Sequence, residues 1–243
     1  MTQLRPQLDR LPPSDWKHVD KYPLGAHMLA VMPPTPVVIG INWYSDFDEP
    51  VYRNNAYWIG LDPNNLGELE GGHCVALKHR YATDLTSWWD YYDQGNEGRC
   101  VQFGCSRIMS LMNRKQYEIR ADDPEGRWLY YEAQRIDEWP GGEYPGAQPQ
   151  YEGTSVRAGL SVLKNKGIIP KYASKPVLAE GISAYRWIGS MSDLSAVLGY
   201  TGIPYVDLIN SWGRGYPHLV RMPLETMNRL WKEDGEIGVP TDR

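Results

Sequence analysis

Phenylalanine is nearly missing from this 243-residue chain, which has 2 Phe against 10 Trp and 17 Tyr. Its aromatic volume therefore comes with polar tips, which suit half-buried walls and clefts as well as cores where a hydrogen-bond partner is at hand. Cysteine is also scarce. Cys74, Cys100 and Cys105 form an odd set with no CxxC pair, which argues against a disulfide framework and a zinc site and leaves free thiols. No apolar run approaches the roughly 20 residues that span a bilayer. The N-terminal MTQLRPQLDRLPPSDW holds no apolar segment of the secretory kind. The chain is expected to be made in the cytoplasm of a producing or host cell, with virion association left open. Basic residues are scattered, and 25 Lys and Arg against 30 Asp and Glu give a net charge of -5. Neither a nucleic-acid nor a membrane partner is therefore expected.

Regular structure follows a proline-rich arm over residues 1–35. PVVIGINWY (36–44) and HCVALKH (73–79) are dense in β-branched and apolar types and are expected as strands. The Asn-, Pro- and Gly-rich stretch between them is expected as a loop. From Cys100, Val101, Gly104, Cys105, Ile108, Leu111 and Met112 recur at helical spacing, predicting a helix with one buried stripe. Further helices are expected over 127–139, over 154–167 with Thr154 as cap and Gly167 as stop, over 190–199, and over 223–235. YVDLIN (205–210) and HLVRM (218–222) are expected as strands. The class is α+β: a β-rich lobe from 36–84 and 181–243 facing a helical lobe from 85–180.

The stretch DQGNEGRCVQFGCS (93–106) places a thiol where turn residues give way to a helix. A helix N-terminus lowers a thiol pKa and so favours the nucleophilic thiolate. Gln94, six residues upstream, has an amide donor for a developing oxyanion, beside the backbone N–H of Cys100. The same pattern also suits a packed thiol.

A base is needed, and the chain has five histidines. His73 opens a strand after two glycines and is the best placed to be aimed into a cleft. His79 sits between Lys78 and Arg80, His18 and His27 lie in the arm, and His218 follows a Tyr-Pro turn. Asn210, at a strand end with Trp212 two residues on, is the candidate to orient the base.

Taken together these stretches resemble the papain-like cysteine proteases. DQGNEGRCVQFGCS is similar to that family's QGxCGSCWAFS segment, GGHCVALK to its histidine strand, and INSWGRGYP to its NSWGxxWG motif. EGTSVRAGLSVLKNKG is similar to a GTS-containing helix of bacterial and viral members, and PPSDW to the usual mature N-terminus. The resemblance implies a two-lobed fold in which Cys100 is the nucleophile, His73 the base, Asn210 the orienter and Gln94 the oxyanion donor. Trp212, Gly98 and Val101 would then be cleft residues, and neither cofactor nor metal is implied.

Two substitutions depart from the pattern: Glu97 stands where the family has a disulfide cysteine, and Val101 where it has tryptophan. The order departs too, since the family runs Cys, His, Asn and this chain runs His73, Cys100, Asn210. A permuted version, similar to papain-like proteins of actinobacteria and their tailed phages, is physically acceptable because such a constellation is defined by geometry. The expected activity is hydrolysis of peptide bonds through an acyl-enzyme. The alternatives are a vestigial site kept for binding or structure, and a cysteine amidase acting on cell-wall peptides.

Overall fold

The computed structural model describes residues 34–80, 91–113, 125–170 and 173–241. Most of the N-terminal arm, including PPSDW, His18 and His27, lies outside them.

Two long strands form the centre. β1 (Val37–Tyr44) and β4 (Leu69–Leu77) pair antiparallel from Val37 opposite Leu77 to Tyr44 opposite Leu69. Around them eight strands make one sheet in the order β2-β3-β7-β6-β4-β1-β8-β5. The others are β2 (Val51–Arg53), β3 (Ala56–Trp58), β5 (Ala184–Trp187), β6 (Tyr205–Ile209), β7 (Val220–Pro223) and β8 (Glu236–Thr241). All neighbours are antiparallel except β3 and β7. The chain is thus α+β, with five α-helices and this sheet among the described residues.

Strand parity decides which helices cover which face. Val38, Cys74 and Ala76 pack with residues of α1 (Cys100–Asn113), α2 (Trp128–Ile136) and α3 (Val156–Asn165). Val37, Ile39, Val75 and Leu77 face the other way, onto α4 (Met191–Leu198) and α5 (Leu224–Lys232). Strands buried on both sides read as near-continuous apolar runs, and β1 and the Cys74–Leu77 part of β4 do. Among the described residues no helix is long and apolar enough to cross a membrane.

Three expectations need correction. The loop expected between β1 and β4 contains the hairpin β2–β3, whose central Asn54 and Asn55 both have positive φ. Two such residues build the mirror-image turn that matches strand twist, and asparagine tolerates it. The cap of α3 is Ser155, which accepts from the Ala158 N–H at 3.1 Å. Thr154 instead donates to Asp137, whose carboxylate also takes the Ser155 hydroxyl and N–H. Finally, α1 has no single stripe: Gln102, Ser106, Arg107 and Ser110 are buried along with its apolar residues. Three of these side chains have identifiable partners. Gln102 donates to the Gly126 carbonyl, Ser110 to the Ser106 carbonyl, and the Arg107 guanidinium lies 4.0 Å from the centre of the Tyr92 ring.

Candidate active site

The thiol end of the site is made by a turn that runs straight into α1. The Asp93 carboxylate accepts from the Gly95 N–H at 2.9 Å, the Glu97 N–H returns to the Gln94 carbonyl, and Gly95 has φ +56. An Asp side chain bonding two residues on is a standard way to fix a turn. The Arg99 carbonyl accepts from the Phe103 N–H, so Cys100 is the first residue of the helix. There the backbone N–H groups lack intrahelical acceptors and favour negative charge. Cys100 is half-buried, whereas Cys74 and Cys105 are buried.

Ion pairs hold this turn down. Arg99 is fully buried, and its Nε lies 2.5 Å from Glu97, whose other oxygen takes Arg127 at 2.7 Å. Glu97 is the position at which the resembled pattern has a disulfide cysteine.

The imidazole end is assembled from three distant segments. His73 Nε2 lies 2.8 Å from Asn210 Oδ1. A carboxamide oxygen only accepts, so Nε2 carries the proton and donates, and Nδ1 is left as the basic nitrogen of the neutral ring. Asn210 Oδ1 also accepts from the Ser211 N–H at 2.7 Å, which fixes the amide orientation. Trp43 meets the His73 ring edge-on at 4.7 Å between centroids, and Trp212 covers it at 5.2 Å. His73 is 7% exposed. Desolvation by these walls lowers its pKa to about 4, against the raising effects of the Asn210 hydrogen bond and the Asp48 charge. The ring is therefore neutral at pH 7.

Two contacts bring the ends together. The Gln94 N–H donates to the Ser211 carbonyl at 2.8 Å, and Asp93 bridges Trp212, so the turn before Cys100 pairs with the segment that follows Asn210. Gly213 makes this approach possible, since a Cβ there would lie 2.5 Å from the Asp93 carboxylate. On the sheet side, a Cβ on Gly104 would lie 2.8 Å from Cys74 Sγ. The first turn of α1 therefore rests on the residue next to His73, one helical turn from Cys100.

The result is a cleft of about 870 Å³, within the range of sites that enclose a ligand. The structure brings the seven residues named from the sequence to one place. His73, Gln94, Gly98, Cys100, Val101 and Trp212 line the cleft, and Asn210 stands behind His73. Gln94 is 7% exposed, and one amide hydrogen goes to the Glu97 carbonyl at 3.2 Å. Gly98 lets the turn pass the Glu152–Gly153 backbone, and Val101 packs against Gly159 of α3. Cys105 lies in the helical core, where burial pushes its thiol pKa up.

Sequence reasoning missed Trp43, Asp48, Glu70, Asp93 and Glu152, which also line the cleft. The available signal was that Glu70 directly precedes the Gly-Gly-His run and Asp93 directly precedes Gln94. Trp43 and Asp48 gave none, because their place depends on the pairing of β1 with β4.

Comparison of the chain with family models, curated proteins and solved structures finds no match.

Proposed function

We propose that the chain is a cysteine peptidase with a permuted papain-like fold. The observation that carries this reading is the 2.8 Å His73–Asn210 hydrogen bond, with His73 on the same cleft as a thiol at the start of a buried helix. That bond assigns the proton to Nε2 and leaves Nδ1 free to act as base.

In the proposed reaction Nδ1 of His73 takes the Cys100 proton as sulfur attacks a peptide carbonyl carbon. The carbonyl oxygen gains the electron pair and is met by the Cys100 N–H and the second amide hydrogen of Gln94. Collapse breaks the C–N bond, and the amine leaves with the proton from His73. Water, deprotonated by the same nitrogen, then hydrolyses the thioester. Asn210 positions the ring, and Trp43 and Trp212 keep water from the His73–Asn210 bond.

The test is hydrolysis of extended peptides by the full chain, with wall-peptide amides as comparison substrates. Turnover with a thioester adduct on Cys100, visible by intact mass after acid quench, is expected. Turnover unchanged in Cys100→Ala would sink the reading. A second reading, a site kept only for binding, draws support from the depressed pKa of His73, since a neutral ring does not hold a thiolate at rest. It predicts peptide binding without any adduct.

A further inference from the structure

The cleft carries a charge pattern that the proposed chemistry does not use. Among the described residues lining it are Asp48, Glu70, Asp93, Glu97 and Glu152, and neither lysine nor arginine. Glu97 is neutralised by Arg99 and Arg127. The other four make no ion pair among the described residues. They stand on both walls: Asp48 acts on His73 and Glu70 is hydrogen-bonded to Asp48, while Asp93 and Glu152 lie along the turn that leads to Cys100.

Glu70 reaches this place by a bulge. Trp43 pairs with Gly71 and Tyr44 with Leu69, so Glu70 is the extra residue between them. A bulge re-aims side chains and recurs next to active sites. Trp43 Nε1 donates to Asp48 Oδ1 at 2.8 Å, which holds that carboxylate at the edge of the indole packed on His73. Burial raises the pKa of Glu70, and so do its hydrogen bond to Asp48 and repulsion from Asp48 and Glu68. Burial raises that of Glu152 as well, with repulsion from Glu143 and Glu97. Both walls would thus gain from an incoming cation.

A second observation points the same way. The Gln94 side chain lines the cleft and is more than nine-tenths buried, its Nε2 is directed to the Glu97 carbonyl, and its Oε1 has no hydrogen-bond partner. The unmet group is an acceptor, and it needs a donor such as an N–H. Among the described residues no three acidic, histidine or cysteine groups are gathered to hold a metal ion, so the fitting cation is organic.

We infer that the cleft selects a peptide bearing a positive charge beside the bond under attack, a lysine or arginine side chain or a free α-ammonium, with Asp48 and Glu70 as the specificity-determining pair. The inference rests on the peptidase reading only for its peptide arm.

The first arm needs no turnover. Full-length protein is treated with trimethylammonium-ethyl and with sulfonatoethyl methanethiosulfonate, and labelling of Cys100 is followed by intact mass. The ratio of cationic to anionic rates, divided by that of a small free thiol, reads the charge of the cleft. We expect a ratio of at least about tenfold, collapsing in Asp48→Asn/Glu70→Gln. It should persist in Glu225→Gln/Asp234→Asn, which removes the same charge from exposed positions elsewhere. A ratio near one, or one equally sensitive to both double variants, overturns the inference.

The second arm compares peptides differing only in Lys against norleucine at successive positions, each with a free or acetylated N-terminus. Preference for lysine identifies a side-chain cation, and preference for the free terminus an α-ammonium. A cation-selective thiol with no peptide cleaved keeps this inference and removes the peptidase reading. Cleavage indifferent to charge does the reverse.

Discussion

The two walls of the cleft are built in opposite ways. The thiol wall is mostly local: Asp93, Gln94, Glu97, Gly98, Cys100 and Val101 lie within nine consecutive residues, fixed by a turn, a helix start and ion pairs, with Arg127 and Glu152 brought in from further along the chain. The imidazole wall is assembled from the end of β1, the bulged start of β4 and the segment after β6, in which Trp43, His73, Asn210 and Trp212 meet only because the sheet pairs. The difference teaches where each wall is vulnerable. A local wall fails when its own residues change, and an assembled wall fails when its packing does.

The largest expected effect tests the local wall. Cys100→Ala should reduce peptide turnover by about 10⁴-fold or more without disturbing the fold, while Cys105→Ala should leave turnover intact and cost about 1 kcal/mol of stability. Denaturant melts beside initial rates check both. Next comes the assembled wall, where Asn210→Ala should slow turnover by about 10²-fold. The ring would then lose the acceptor that fixes its tautomer.

Trp43→Ala sharpens the comparison through pH. On the proposed peptidase reading His73 would serve as base only when neutral, and its neutral form predominates above a pKa of about 4, so the wild-type rate should hold from pH 7 to 5 and fall through pH 4. Removing the indole admits water and relieves the desolvation that lowers this pKa. The acid limb should therefore move up, toward the ordinary value near 6.5, with about 3 kcal/mol lost from stability. Rates across pH, with tryptophan fluorescence to exclude acid unfolding, decide it. An unmoved limb would mean that Trp43 does not set the protonation of His73.

Glu97→Gln comes last because its effect is on stability rather than on rate. Loss of the charge facing buried Arg99 should cost about 2 kcal/mol, below the 3–5 of a fully buried pair because Glu97 is 35% exposed. Urea melts read the loss. No change would make Glu97 a surface charge rather than the anchor of the turn.

The same contrast explains what the sequence made legible. Helical spacing starting at Cys100 and the β-branched density of VVIGINWY are local patterns, and those elements stand where the patterns put them, whereas β4 starts at Leu69 and ends at Leu77, so His73 lies in mid-strand rather than opening it. β8 was not visible because Gly238 and Pro240 read as breakers. Its pairing with β1 ends at Gly238, so the missing N–H of Pro240 costs nothing on that side. Ser155 was passed over for Thr154 because Asp137, the group that engages both hydroxyls, lies 17 and 18 positions away. Asp48 and Glu70 join the cleft through a bulge and an indole contact, and neither leaves a mark in composition or period.

The ionic anchor of the turn has a consequence for redox chemistry. On the proposed reading Cys100 must stay reduced to act, and a strained or exposed disulfide holding its loop would be open to the same reductant. Glu97, Arg99 and Arg127 separate the two demands: strong reductant protects Cys100 and leaves the anchor untouched.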